Sequence, residues 1–188
     1  MDISKEDPRF NEFQNVKRRF FALRNGIVAD TLRQAGDPHR IIFGLTLPQL
    51  REVADATGHD NALAAVLWEN TSTRESRLLA PLIMDADATS RETADAMARS
   101  VMGVEEADIL CHRLLRRLPF AMEMVDSYKD SEQELLRYLA LRLMLNIISQ
   151  NPQKAKTLAA AEVARECALT RRLAMQTAQE SAFILGEE

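Results

Sequence analysis

The 188-residue sequence predicts an all-α chain of antiparallel helix pairs, and three observations predict it. Helix-start and helix-stop residues recur at intervals of one short helix. The apolar residues between them mostly repeat with a period near 3.6. Gly and Pro number six each, β-branched runs are absent, and the good helix formers Ala, Leu, Arg, Glu and Met dominate.

In chain order the pattern predicts helices over 9–24, 27–35, 47–57, 61–69, 73–84, 90–102, 104–118, 120–128, 132–149, 152–166 and 169–185, with no strand. Thr46-Leu47-Pro48-Gln49 reads as an N-cap followed by Pro in the first turn and Gln at N3. Ser72-Thr73-Arg74-Glu75, Thr89-Ser90-Arg91-Glu92 and Ser131-Glu132-Gln133-Glu134 have the capping-box form. Asn151-Pro152 sets an N-cap before Pro at N1. Gly36, Gly58, Gly103 and Gly186 stand where helices should stop. The links are a few residues long, so successive helices should pack antiparallel. Segment 132–149 is apolar nearly all round and should be an inner helix; Arg137 at its start then needs an acidic partner.

Arg-x-Leu-Ala recurs at Arg77, Arg137 and Arg171; the last two are 34 positions apart, as in helix-pair repeats, while the first two, 60 apart, require an irregular middle repeat. The whole of 1–188 reads as one domain, with 1–25 as a candidate N-terminal capping helix. Cys111 and Cys167 form neither a disulfide framework nor a CxxC pair, which fits a reducing, cytoplasmic setting. The opening Met-Asp-Ile-Ser-Lys-Glu-Asp lacks the basic and apolar regions of a secretory leader, and no stretch is long enough to span a membrane.

Nucleotide-binding loops, zinc-protease motifs and nucleophile elbows are absent, and no cofactor is implied. His39, His59 and His112 are scattered, so no metal site is expected. Cys111 next to His112 cannot form a nucleophile–base pair on a helix, since adjacent residues point about 100° apart. Cys111 reads as a small core residue. Glu105, Glu106 and Asp108 suit the first turns of helix 104–118 through the helix dipole. The net charge of −4 argues against a dedicated duplex-DNA binder, although local basic clusters exist. These are Lys17, Arg18 and Arg19; Arg113, Arg116 and Arg117, spaced to share one helix face; and Arg171 with Arg172. Trp68 reads as a packing residue.

Phe43-Gly44-Leu45-Thr46-Leu47-Pro48-Gln49-Leu50-Arg51, then Leu67-Trp68 and Glu75-Ser76-Arg77-Leu78-Leu79-Ala80, form one recognisable set. Ala107-Asp108-Ile109-Leu110-Cys111 and Arg137-Tyr138-Leu139-Ala140 form another. Over residues 27–180 the chain thereby resembles the AlkD-type DNA alkylation repair proteins. The resemblance implies a HEAT-like helical repeat solenoid, an α-α superhelix with a basic concave groove for duplex DNA. Active members of that family excise N3- or N7-alkylated purines. The resemblance places the family's Trp on Ala107, its catalytic Asp on Cys111 and its later Arg on Arg137. It leaves Asp108, one turn earlier, as the candidate catalytic carboxylate, with Asp126 as a further acid and Trp68, Tyr128 and Tyr138 as the aromatic candidates. Two expectations stand. One is a non-catalytic member that binds DNA or a protein on its concave face, with Arg113, Arg116, Arg117, Arg137 and Arg171 as the DNA-binding set. The other is a glycosylase.

Overall fold

The computed structural model describes residues 9–187, and side chains from residue 11 onward. The described residues contain eleven α-helices and two short 3-10 turns. Their only β-type pairing is an isolated bridge between Ile41 and Thr73. Every helix expected from the sequence is present. Two compact units divide at Thr89/Ser90. No described helix is long and apolar enough to cross a membrane.

The first unit holds α1 (Arg9–Ala22), α2 (Gly26–Gln34), α3 (Leu47–Thr57), α4 (Asn61–Glu69) and α5 (Arg74–Ile83). Asp60, the N-cap of α4, donates its N–H to Ile83 O at the far end of α5, so these two helices run antiparallel. Every residue of α5 from Arg74 to Pro81 is buried. Three of them are charged, and each charge is answered. The Arg77 guanidinium lies 3.6 Å from the centroid of the buried Trp68 ring and donates to Trp68 O. Arg74 bonds Leu45 O and the Glu75 carboxylate. Glu75, fully buried, accepts from the backbone N–H groups of Phe43, Gly44 and Leu45 at 3.0, 2.9 and 3.3 Å.

That last contact corrects an expected cap. Thr73, not Ser72, is the N-cap of α5, and it makes no side-chain cap bond. Three N–H donors of a dry loop outcompete the single N–H that a capping box offers a Glu side chain. The cap at Thr46 does form with Gln49, and Ser90 rather than Thr89 caps the helix that follows. Gly44 completes the loop at φ +80, where a Cβ would stand 2.2 Å from Asn25 O.

The second unit holds α6 (Arg91–Arg99), α7 (Val104–Arg113), α8 (Ala121–Tyr128), α9 (Glu134–Asn146), α10 (Pro152–Ala164) and α11 (Arg171–Leu185). α9 packs against all five others, the position foreseen for an apolar inner helix. α10 and α11 are antiparallel: Lys156 near the start of α10 pairs with Glu187, and Glu162 near its end accepts from Thr170 before α11. Other bridges join residues about one repeat apart. Arg91 meets Glu123 and Ser127, separated by 32 and 36 positions; Tyr128 donates to Asp95, separated by 33; Arg165 meets Asp130, separated by 35.

Several boundaries differ from expectation. α7 stops at Arg113, and Leu115–Arg117 continues as a 3-10 turn. Arg113, Arg116 and Arg117 therefore do not share one helix face. Leu118 precedes Pro119, which disfavours helical backbone there, and the buried Leu114, Leu115 and Leu118 accompany a tighter turn. α9 begins at Glu134 with Gln133 as N-cap, so no Ser131 box forms, and it stops at Asn146 before a 3-10 turn over Ile148–Gln150. Gly103 starts α7 as its N-cap instead of ending α6.

Candidate nucleic-acid interface

α7 and α9 are packed together, and their contact carries a cluster that joins a carboxylate, a guanidinium and a phenol, as Asp95, Arg99 and Tyr128 do elsewhere in this unit. Asp108, in the second turn of α7, accepts from Arg142 Nε at 2.6 Å and from Tyr138 Oη at 2.8 Å, both on Oδ1. Arg142 Nη2 reaches Oδ2 at 3.4 Å and Tyr138 Oη at 3.1 Å. Tyr138 and Arg142 stand four apart on α9, hence on one face. The Asp108 side chain keeps 40% of its exposure and that of Arg142 24%, while Tyr138 is buried. Burial pushes the Tyr138 phenol up, so it remains a donor to Asp108 across the physiological range. Burial alone would lower Arg142; the Tyr138 hydroxyl and the Asp108 charge outweigh it and hold the guanidinium above its ordinary value.

Cys111, one turn further along α7, is fully buried and its thiol points to Leu139 O. Burial, reinforced by the Asp108 charge, pushes the thiol well above its ordinary value, so it is a neutral core group. With Asp108 as the half-exposed acid, the position four residues earlier is Val104, which is exposed.

Arg137 is not beside Asp108. Its Nε pairs with Glu162 at 3.0 Å and its Nη1 donates to Ser131 O, so it has the acidic partner that its burial demanded. Glu162 collects Arg137, Arg165 and Thr170; burial opposes its ionisation, but these donors outweigh burial and hold the carboxyl below the ordinary range. Glu106 is buried and caps the Met102 N–H, and Asp126 is engaged by Lys154 and Lys129.

The second unit has thirteen Lys and Arg residues. Eight pair with carboxylates. Arg116, Arg117, Arg171 and Arg172 are exposed and pair with no carboxylate among the described residues. Arg113 is half-buried. Trp68 lies in the core of the first unit and Tyr128 is buried. His59 and His112 are exposed; His39 sits in a loop but is buried on Asp37. No group of three or more potential metal ligands is found among the described residues.

Arg142 was missed because it registers in the sequence only as an interruption of an apolar run. Its distance from Asp108 was the available signal: 34 positions, the same step that separates Arg137 from Arg171.

A family model described as DNA alkylation repair enzyme matches residues 16–179. A solved structure from a new family of proteins related to the HEAT-like repeat DNA glycosylases, with affinity for branched DNA structures, superposes with a TM-score of 0.78. It is 16% identical, and the match covers 90% of this chain and 75% of that one. No curated protein matches. The likeness shows that this chain has the HEAT-like repeat fold.

Proposed function

We propose, from the premise that this chain belongs to the DNA alkylation repair enzyme family, that it binds DNA without excising bases. Arg116 and Arg117, and Arg171 with its chain neighbour Arg172, would meet the phosphates. Arg137 and the half-buried Arg113 would shape the fold around them. The observation that carries this reading is the set of four exposed arginines without carboxylate partners, in a unit whose other cations are mostly paired. An unpaired guanidinium binds phosphate at no cost of breaking an internal salt bridge, and each contact releases counterions. The fold relative's affinity for branched DNA makes a branched duplex the first ligand to offer.

A second reading is favoured by Asp108. A half-exposed carboxylate could stabilise the positive charge that grows on the sugar as a cationic alkylated purine departs. Its strength would be reduced here, because Arg142 and Tyr138 already occupy Oδ1 and Val104 offers no ring for a lesion.

Binding of plain and branched duplex at two salt concentrations, alongside release of 3-methyladenine or 7-methylguanine from methylated duplex, separates the readings. We expect binding that weakens steeply with salt and is impaired in R116E/R117E, with release at the spontaneous rate. Release above that rate, abolished in Asp108→Asn, would overturn the non-catalytic reading. Absence of DNA affinity even at low salt would leave a protein as the partner.

A further inference from the structure

Charge is segregated along this chain. Residues 9–40 carry seven Lys or Arg against three Asp or Glu, whereas residues 41–188 carry sixteen against twenty-two. The basic segment centres on α1. This helix buries Val16 and Phe20 and packs on α4. At about 100° per residue the opposite side carries Arg18 and Phe21 together with Asn11 and Asn15, and Arg19 stands on the flank, all exposed. Just past the helix end, Arg24 stacks 3.9 Å from the centroid of the Phe21 ring and donates to Phe21 O. Phe21 is 58% exposed, and Ile27, at the start of α2, is 82% exposed. Lys17 lies over Phe13. None of Lys17, Arg18, Arg19 and Arg24 pairs with a carboxylate among the described residues, and Glu12 is the one acid of α1.

Four cations without acids repel one another, so the surface is suited to an anion. An exposed ring stacked on a guanidinium adds a flat apolar platform, which simple ions and paired bases cannot use but an unstacked base can. A membrane surface fits less well. The outward arc of α1 interleaves Asn and Arg with a single large apolar residue, where an interfacial helix needs a continuous apolar face.

We propose that the outward face of α1, with Arg24, is a second nucleic-acid site that takes a single strand: phosphates on Arg18 and, from the two flanks of the helix, on Lys17 and Arg19, and a base on Phe21. This site belongs to the first unit, and its argument does not rest on the duplex contacts proposed for the second.

The test uses the full chain and the anisotropy of labelled oligo(dT) and oligo(U) of about 20 nucleotides, at salt from about 50 to 200 mM. R18E/R19E should weaken binding at least tenfold and reduce the salt slope by about 1.4, which is 0.7 for each of two phosphates. Phe21→Ala should weaken it about 5- to 100-fold with the slope unchanged, as expected for lost stacking. R116E/R117E should leave single-strand binding intact while weakening duplex binding. Circular dichroism should report native helicity in each, and Phe21→Ala alone decides the matter if the double variant misfolds. Single-strand affinity that survives both α1 variants would overturn the proposal, as would its loss in R116E/R117E. Binding of phosphatidylserine vesicles that requires α1, without oligonucleotide binding, would equally overturn it.

Discussion

Asp108 and Arg142 close a charge-assisted pair at 2.6 Å across α7 and α9, with Tyr138 hydrogen-bonded to both partners. The pair is half open to solvent, so its contribution to stability is modest. Arg142→Ala should cost about 1 kcal/mol in urea unfolding, a fall in Tm of about 2–4 °C. Asp108→Asn should cost less, because the amide oxygen still accepts from both donors. A larger loss for Asp108→Asn than for Arg142→Ala would contradict the geometry.

Cys111 is the position onto which the sequence resemblance would carry the acid of active family members. In the folded chain that position is core. Cys111→Asp should destabilise by about 3 kcal/mol or more, since it buries an unpaired carboxylate, and should confer no base release. In the unsubstituted protein, Cys111 should resist iodoacetamide at pH 8 until the chain unfolds, as burial raises the thiol's pKa. Rapid native-state labelling of Cys111, followed by mass spectrometry, would refute this.

Glu75 ties α5 to the loop at residues 43–45. Glu75→Ala should cost about 3–5 kcal/mol by denaturant unfolding, because three loop N–H groups and Arg74 lose their acceptor together. Gly44→Ala should cost about 2 kcal/mol or more, through its left-handed backbone and the contact with Asn25 O. Near-neutral results would show that the loop moves freely to another arrangement.

Glu162 sets an acid limit. Its folded carboxyl titrates below the unfolded value of about 4.3. Its stabilisation is therefore complete above that value and fades as the pH falls through the folded one. The stability difference between the natural chain and Glu162→Gln should be constant from about pH 6 to 8 and shrink below about pH 4. A difference that grows in acid would reverse the sign of this coupling.

Helix existence was legible because caps and apolar spacing are local. Thr46 and Asn151 show it, each standing one position before its helix. What failed to show was competition between partners. Glu75 looks like a capping residue until the loop at 43–45 folds against it. Leu118-Pro119 ends a helix whose apolar periodicity continues through it. The Asp108–Arg142 pair joins two segments, each of which gives its residue an adequate local explanation: helix-dipole acid for one, polar interruption for the other. Distance in space, which no single segment encodes, was the missing term.

Five bridges within the second unit span 32 to 36 positions, Arg91–Glu123, Asp95–Tyr128, Asp108–Arg142, Arg165–Asp130 and Arg91–Ser127, and others are shorter, such as Lys156–Glu187 at 31 and Arg137–Glu162 at 25. Each repeat is thus stitched to its immediate successor. A chain wired in this way closes only short loops as it folds, so its contact order is low and it should fold quickly for its length. It also means that a repeat can be lost, gained or altered in evolution with disturbance confined to its neighbours. A surface such as α1 can therefore acquire a ligand of its own without renegotiating the packing around α9.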